Sequence, residues 1–162
     1  MLNRSRRWWD FPAAFLLLAS LMTVAFRLGD TRWTEDLNIV ATTTFFGMVL
    51  GLALGYSQFK RWIVLLLAAG YTLTIPVWQL TALMQEDVAW LERLASLGGR
   101  LWNGLQIFFQ NLPLSDPVPF LTNMVVLFWL VSLIAGYNLT RHGKPLQGVL
   151  IADAALMVID IY

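Results

Sequence analysis

Few side chains in this sequence can do chemistry. In its last apolar stretch Asp153 and Asp160 stand seven residues apart, which places them on one face of a helix. A carboxylate near the centre of a bilayer costs about 2.5–3.5 kcal/mol on insertion scales, so an intramembrane acid is a candidate proton-relay group or ion site. Asp153 is that candidate, whereas Asp160 falls near the outer interface. No Lys, Arg or His stands at matching depth, which leaves a competing reading of Asp153 as a protonated acid hydrogen-bonded inside a bundle. The only histidine, His142, lies in the basic turn Arg141–Pro145 and reads as a solvated loop residue, because a metal site needs several donors and none gathers there. There is no cysteine, hence no thiol nucleophile, no disulfide and no thiolate metal site. A Ser–His–Asp unit would depend on His142 alone. With no phosphate loop, dinucleotide fingerprint or metal-spaced cluster, the sequence assigns no catalytic, cofactor-binding or metal residue to this chain.

The elements that must position these groups are membrane helices. Hydrophobic residues make up 58% of the 162 positions and charged residues only 13%, far below the roughly one quarter of a soluble domain. Several apolar windows reach or approach the ~18 residues read as a membrane span. A net charge of +1 gives no argument for nucleic acid as a partner. The fold class expected is all-α: a polytopic transmembrane helical bundle of about five spans in one membrane domain. The spans fall at about 11–29, 38–56, 62–83, 119–140 and 146–162, the last still apolar at Tyr162. Pro76 lies inside the third and removes the bond its amide would give the Thr72 carbonyl, so a kink is expected, with Thr72 and Thr74 available to re-satisfy backbone groups. Trp78 and Trp129 read as packing or interfacial-belt residues.

Gly47, Gly51 and Gly55 recur at four-residue spacing in the second span and line up as one shallow groove. In water each would cost ~1 kcal/mol against Ala; in a bilayer such a groove admits a neighbouring helix, from this chain, a partner or a second copy. Ser132 and Gly136 repeat the spacing in the fourth span. Segment 84–118 differs: Trp90, Leu94, Leu97, Leu101, Leu105, Phe108 and Leu112 recur every three or four positions, with polar residues on most other faces. It reads as an amphipathic helical segment at the membrane interface, divided into two helices at Gly98–Gly99.

Basic residues set the orientation. Arg4, Arg6, Arg7, Lys60, Arg61, Arg141 and Lys144 fall on the side of the N-terminus, while Arg27, Arg32, Arg93 and Arg100 fall on the other among seven acids. The N-terminus is therefore expected in the cytoplasm, with 84–118 outside. Asn138-Leu139-Thr140 matches a glycosylation acceptor, but at the cytoplasmic end of a span.

RRWWDFP (Arg6–Pro12), TRWTEDL (Thr31–Leu37), GLALGYSQF (Gly51–Phe59), PLSDPVPF (Pro113–Phe120) and LFWLVSLIAGYNLTRHGKP (Leu127–Pro145) follow one another in an order that resembles the N-terminal membrane region of bacterial transglutaminase-like proteins. The resemblance implies a multi-pass anchor in the bacterial inner membrane, with a papain-like Cys–His–Asp domain outside the cytoplasm and beyond Tyr162. None of that triad carries over to these residues, so the chain itself is expected to be no enzyme and to need no cofactor. The partners expected are the lipid bilayer and that downstream domain. Two other classes remain: a small transporter or channel subunit using Asp153, and an assembly protein using the glycine groove for a partner helix or homo-oligomer.

Overall fold

The computed structural model describes residues 11–31, 33–34, 36–83, 89–110 and 116–143. Among them are five α-helices and no strand: α1 (Phe11–Asp30), α2 (Asn38–Tyr56), α3 (Arg61–Ala82), α4 (Trp90–Phe109) and α5 (Val118–His142). All but α4 are long and apolar enough to cross a membrane. Their bounds lie within about two residues of those read from hydropathy, the ordinary scatter of helix ends. Segment 146–162, with Asp153 and Asp160, lies outside the described residues.

The bundle is built on α2 and α5, which share by far the most extensive contact. A Cβ placed on Gly47 would meet the Ser132 hydroxyl and lie 3.0 Å from the Trp129 carbonyl oxygen. One on Gly51 would fall on the Leu133 carbonyl, and one on Gly55 on the Thr140 hydroxyl. From the other side, a Cβ on Gly136 would lie 2.7 Å from the Met48 carbonyl oxygen. Residue numbers rise together along the contact, so the two helices run parallel. The expected groove is thus filled by the chain's own α5, and these glycines are not free for a partner helix. Helices have little hydrophobic drive to associate in lipid, so the close approach gains its stability from dispersion between backbones.

The other helices attach to this pair by different means. α1 buries Leu17, Leu21, Val24, Ala25 and Leu28, one apolar stripe at helical spacing. Phe15, Leu16 and Phe26 face outward, where hydrocarbon rather than water is the natural neighbour. α3 buries little, Val64, Pro76, Gln79, Leu80 and Thr81, and is held to its neighbours by two polar contacts. The buried Gln79 amide oxygen lies 2.5 Å from the Thr43 hydroxyl of α2, which also lies 2.8 Å from the Ile39 carbonyl. That hydroxyl has one proton; with the amide turned so its NH2 faces Thr43, both bonds are made. Four residues before Pro76, the Thr72 hydroxyl accepts from the indole N–H of fully buried Trp129 at 2.9 Å.

Two expectations change here. The Thr72 and Thr74 hydroxyls donate to the Ala68 and Gly70 carbonyls, so they serve the turn before the proline and leave the Thr72 carbonyl without a hydroxyl from either. Gly98 and Gly99 do not divide the amphipathic segment: α4 runs through both as one helix. Each glycine costs about 1 kcal/mol of helix propensity, which the i→i−4 ladder and the surrounding Leu, Glu, Arg and Ala can absorb.

Two outcomes follow from this packing. Gly51→Ala should destabilise the bundle by on the order of 1–3 kcal/mol, because its methyl meets backbone that cannot move aside. Gly70→Ala, which faces open space, should be neutral or stabilising by up to ~1 kcal/mol. Detergent melting compares them, and equal losses would contradict the seam. A double-mutant cycle of Thr43→Val and Gln79→Leu should give a coupling near ~0.6 and below ~1.7 kcal/mol; zero coupling would show that this bond does not hold α3.

Candidate functional site: the docked helix α4

Contacts define the two ends of the bundle. Arg141 of α5 donates through Nη1 to the Ser57 carbonyl at 2.9 Å, which joins the 57–60 turn to the end of α5. At the opposite end Trp33 packs on Phe120, ring centroids 6.0 Å apart, and α4 sits beside the start of α5. The basic turns therefore share one end and α4 occupies the other.

Three contacts seat α4. Leu97 is buried, with Leu94 and Leu101 half-buried on the same stripe. Gly104 lies under Pro119, whose ring carbon Cγ would be 2.5 Å from a Cβ there. Arg100 grips Asp116 with two parallel bonds, Nε to Oδ2 at 2.8 Å and Nη2 to Oδ1 at 2.7 Å, the planar fork that suits a carboxylate. Asp116 Oδ1 also accepts the Val118 amide at 3.0 Å and so satisfies one of the amides left free at the start of α5. The same carboxylate thus starts one helix and holds the other. Bonding to Arg100 lowers the Asp116 pKa against the opposing effect of burial, and raises that of Arg100.

The expected stripe is partly redistributed. Trp90, Leu105 and Phe108 are exposed, although they recur with the inward leucines. Leu91, Trp102, Leu105 and Phe109 form a second apolar ridge, also exposed, beside the bundle-facing stripe. A third face carries Glu92, Ser96, Asn103 and Gln106, all exposed. Helical spacing thus gives α4 three faces: one on the bundle, one apolar and open, one polar. This suits a helix lying in a membrane interface.

The other singled-out residues serve packing or lie elsewhere. Gly47, Gly51, Gly55, Ser132 and Gly136 are buried in the α2–α5 seam, and Thr140 extends its α5 side. Thr140 continues the same four-residue spacing as Ser132 and Gly136, a signal that its place in a glycosylation pattern obscures. Its buried hydroxyl bonds to the Gly136 carbonyl at 3.0 Å. Asp153 and Asp160 lie outside the described residues. His142 is exposed, its Nδ1 3.2 Å from Asn138 Oδ1 and its ring edge-on to Tyr137. Among the described residues no group of His, Cys, Asp and Glu could hold a metal ion.

The ion pair sets a pH dependence. Since the folded Asp116 pKa is lowered, its contribution is present above the unfolded carboxylate value, ~3.9, and is lost as pH falls through the lower folded value. Accessibility of a Leu97→Cys thiol should therefore stay constant from neutral pH to about 5 and rise only below ~4. Asp116→Asn should raise it at neutral pH. Both groups are partly exposed, so the loss should stay within about 1 kcal/mol. Unchanged accessibility in Asp116→Asn would mean that the bridge does not hold α4.

Comparison of the chain with family models, curated proteins and solved structures gave no match.

Proposed function

We propose that the chain is a membrane anchor and scaffold whose docked helix α4 forms an outer-surface platform. On this reading the basic turns 57–61 and 141–145 face the cytoplasm, as the excess of Lys and Arg over acids there favours. α4 then lies outside, its apolar ridge sunk in the interface and its polar face turned to water. The observation that carries the reading is the seating of α4: a helix fixed by Leu97, by Gly104 under Pro119 and by the Arg100–Asp116 pair, yet open on two other faces. A spacer that merely joined two spans would need no such seating. The likeness of the sequence to transglutaminase-like membrane proteins supplies the class of load: an extracytoplasmic catalytic domain joined beyond residue 162.

Single cysteines in this cysteine-free chain test the topology. An impermeant maleimide should label Ser96→Cys in intact cells and Gln58→Cys only after lysis; the reverse pattern would overturn the orientation. In the full-length protein, replacing Trp102, Leu105 and Phe109 together by Ser removes the open ridge and spares the seating residues. Each side chain forfeits up to ~1.5–3 kcal/mol of apolar burial, so α4 should become protease-sensitive and protection of the attached domain should change. Exposure of α4 with that domain's protection and activity unaltered would refute the platform.

A further inference from the structure

We infer that residues 61–75 of α3 form a hinged arm, which swings about Pro76 and is latched to α5 by the Trp129–Thr72 hydrogen bond. Burial divides the helix at the proline. From there on Pro76, Gln79, Leu80 and Thr81 are buried, and the contact of Gln79 with Thr43 ties this part to α2. Before it only Val64 is buried, while Trp62, Leu66 and Leu73 are exposed. The backbone is soft at both ends of the arm. Pro76 has no amide to give the Thr72 carbonyl, and the Thr72 and Thr74 hydroxyls are spent on the Ala68 and Gly70 carbonyls. The helix is therefore one bond short at the point where its burial changes. At the other end residues 57–60 are non-helical, with Ser57 and Lys60 both extended. Arg141 holds the Ser57 carbonyl, so the α2 side of this connector stays with α5 and the arm alone can turn.

The latch is polar. Apolar contact holds such an arm weakly, because acyl chains can replace side-chain neighbours at little cost. Trp129 is fully buried, and its indole N–H, which can only donate, reaches Thr72 Oγ1 at 2.9 Å. The Thr72 proton goes to the Ala68 carbonyl at 2.7 Å, so the hydroxyl is oriented to accept. Among the described residues no other side-chain hydrogen bond ties 61–75 to another helix. If the latch opens, Thr72 keeps its bond to Ala68 and only the indole loses a partner. The closed and open arm thus differ by one polar bond, a small gap that suits a two-state element. Turning outward, the arm uncovers the Trp129 face of α5 while the part from Pro76 on stays at the α4 end. A proline alone would give a static kink, and thin packing alone a lipid-facing helix. A missing ladder bond, a change of burial and a single polar tie within one turn make a hinge.

Spin-label distances in the purified full chain, held in lipid nanodiscs, test the arm, since no native cysteine competes for the label. Leu66→Cys with Ile134→Cys reports the arm against α5, and Ala82→Cys with Asn123→Cys reports the pinned part; all four positions are exposed. Thr72→Val removes the latch and should raise the population of the longer arm distance roughly three-fold, and at most about eighteen-fold. Thr72→Ser keeps the accepting hydroxyl and should restore the original distribution. The Ala82–Asn123 distance should stay the same in every Thr72 variant. Adding Pro76→Ala to Thr72→Val restores the ladder bond and should bring the longer arm distance back down. An arm distance indifferent to Thr72→Val, or a failure of Thr72→Ser to restore it, would overturn the latch. Lengthening of both distances together in Thr72→Val would mean that α3 leaves as one rigid helix and would overturn the hinge. So would a longer arm distance that survives Pro76→Ala while the Ala82–Asn123 distance holds.

Discussion

Everything in this fold leans on how near the α2 backbone comes to that of α5. Where Gly51 meets the Leu133 carbonyl and Gly136 meets that of Met48, no side chain intervenes. A bilayer removes the usual reason for apolar helices to cluster, because lipid tails are as apolar as leucine. What remains is the density of contact, and dispersion weakens steeply once atoms separate by even half an ångström. A methyl group on either helix would part them by more than that. The seam also fixes the ends: because the two helices run parallel, Arg141 arrives beside Ser57 and Asp116 arrives beside α4.

The remaining helices form a hierarchy around that pair. α1 lies against it through an apolar stripe. α3 is the most lightly packed of the spans, and its two polar bonds matter because a dry bilayer leaves few other partners for Gln79 or the Trp129 indole. Most buried hydroxyls in the seam are satisfied within their own helices, Thr44 on Val40 and Ser132 on Trp129, so close packing need not strand polar groups. α4 stands outside this economy. It is seated by one leucine stripe, one glycine–proline contact and a half-exposed ion pair, which makes it the element most easily released.

The span boundaries and the glycine groove were legible in the sequence because both are local and periodic. Asn38–Tyr56 could be read as a helix from its own composition, and Gly47, Gly51 and Gly55 had to share a face wherever that helix lay. Which surface would meet the groove was not legible, although Ser132 and Gly136 carried the same spacing and Thr140 continued it. Gln79 to Thr43, Trp129 to Thr72 and Arg100 to Asp116 were beyond reach for another reason. Each joins residues 16 to 57 positions apart, and such pairs depend on how each helix is rotated about its axis. α4 shows the limit of periodicity most clearly: its spacing named one apolar stripe, but only the packing separates Leu97, which is buried, from Leu105 and Phe108, which are not.

The register of the seam can be measured directly, because the chain carries no cysteine of its own. A Cβ on Gly47 would stand 3.3 Å from that of Ser132, just short of the roughly 3.5–4.5 Å of a disulfide, so a small relaxation allows the bond. In native membranes under mild oxidation, Gly47→Cys with Ser132→Cys should close within one chain and shift its mobility on a non-reducing gel. Gly47→Cys with Val131→Cys, one residue out of register, should remain reduced. Equal closure of both pairs, or cross-linking only between chains, would contradict an α2–α5 seam as the core of this bundle.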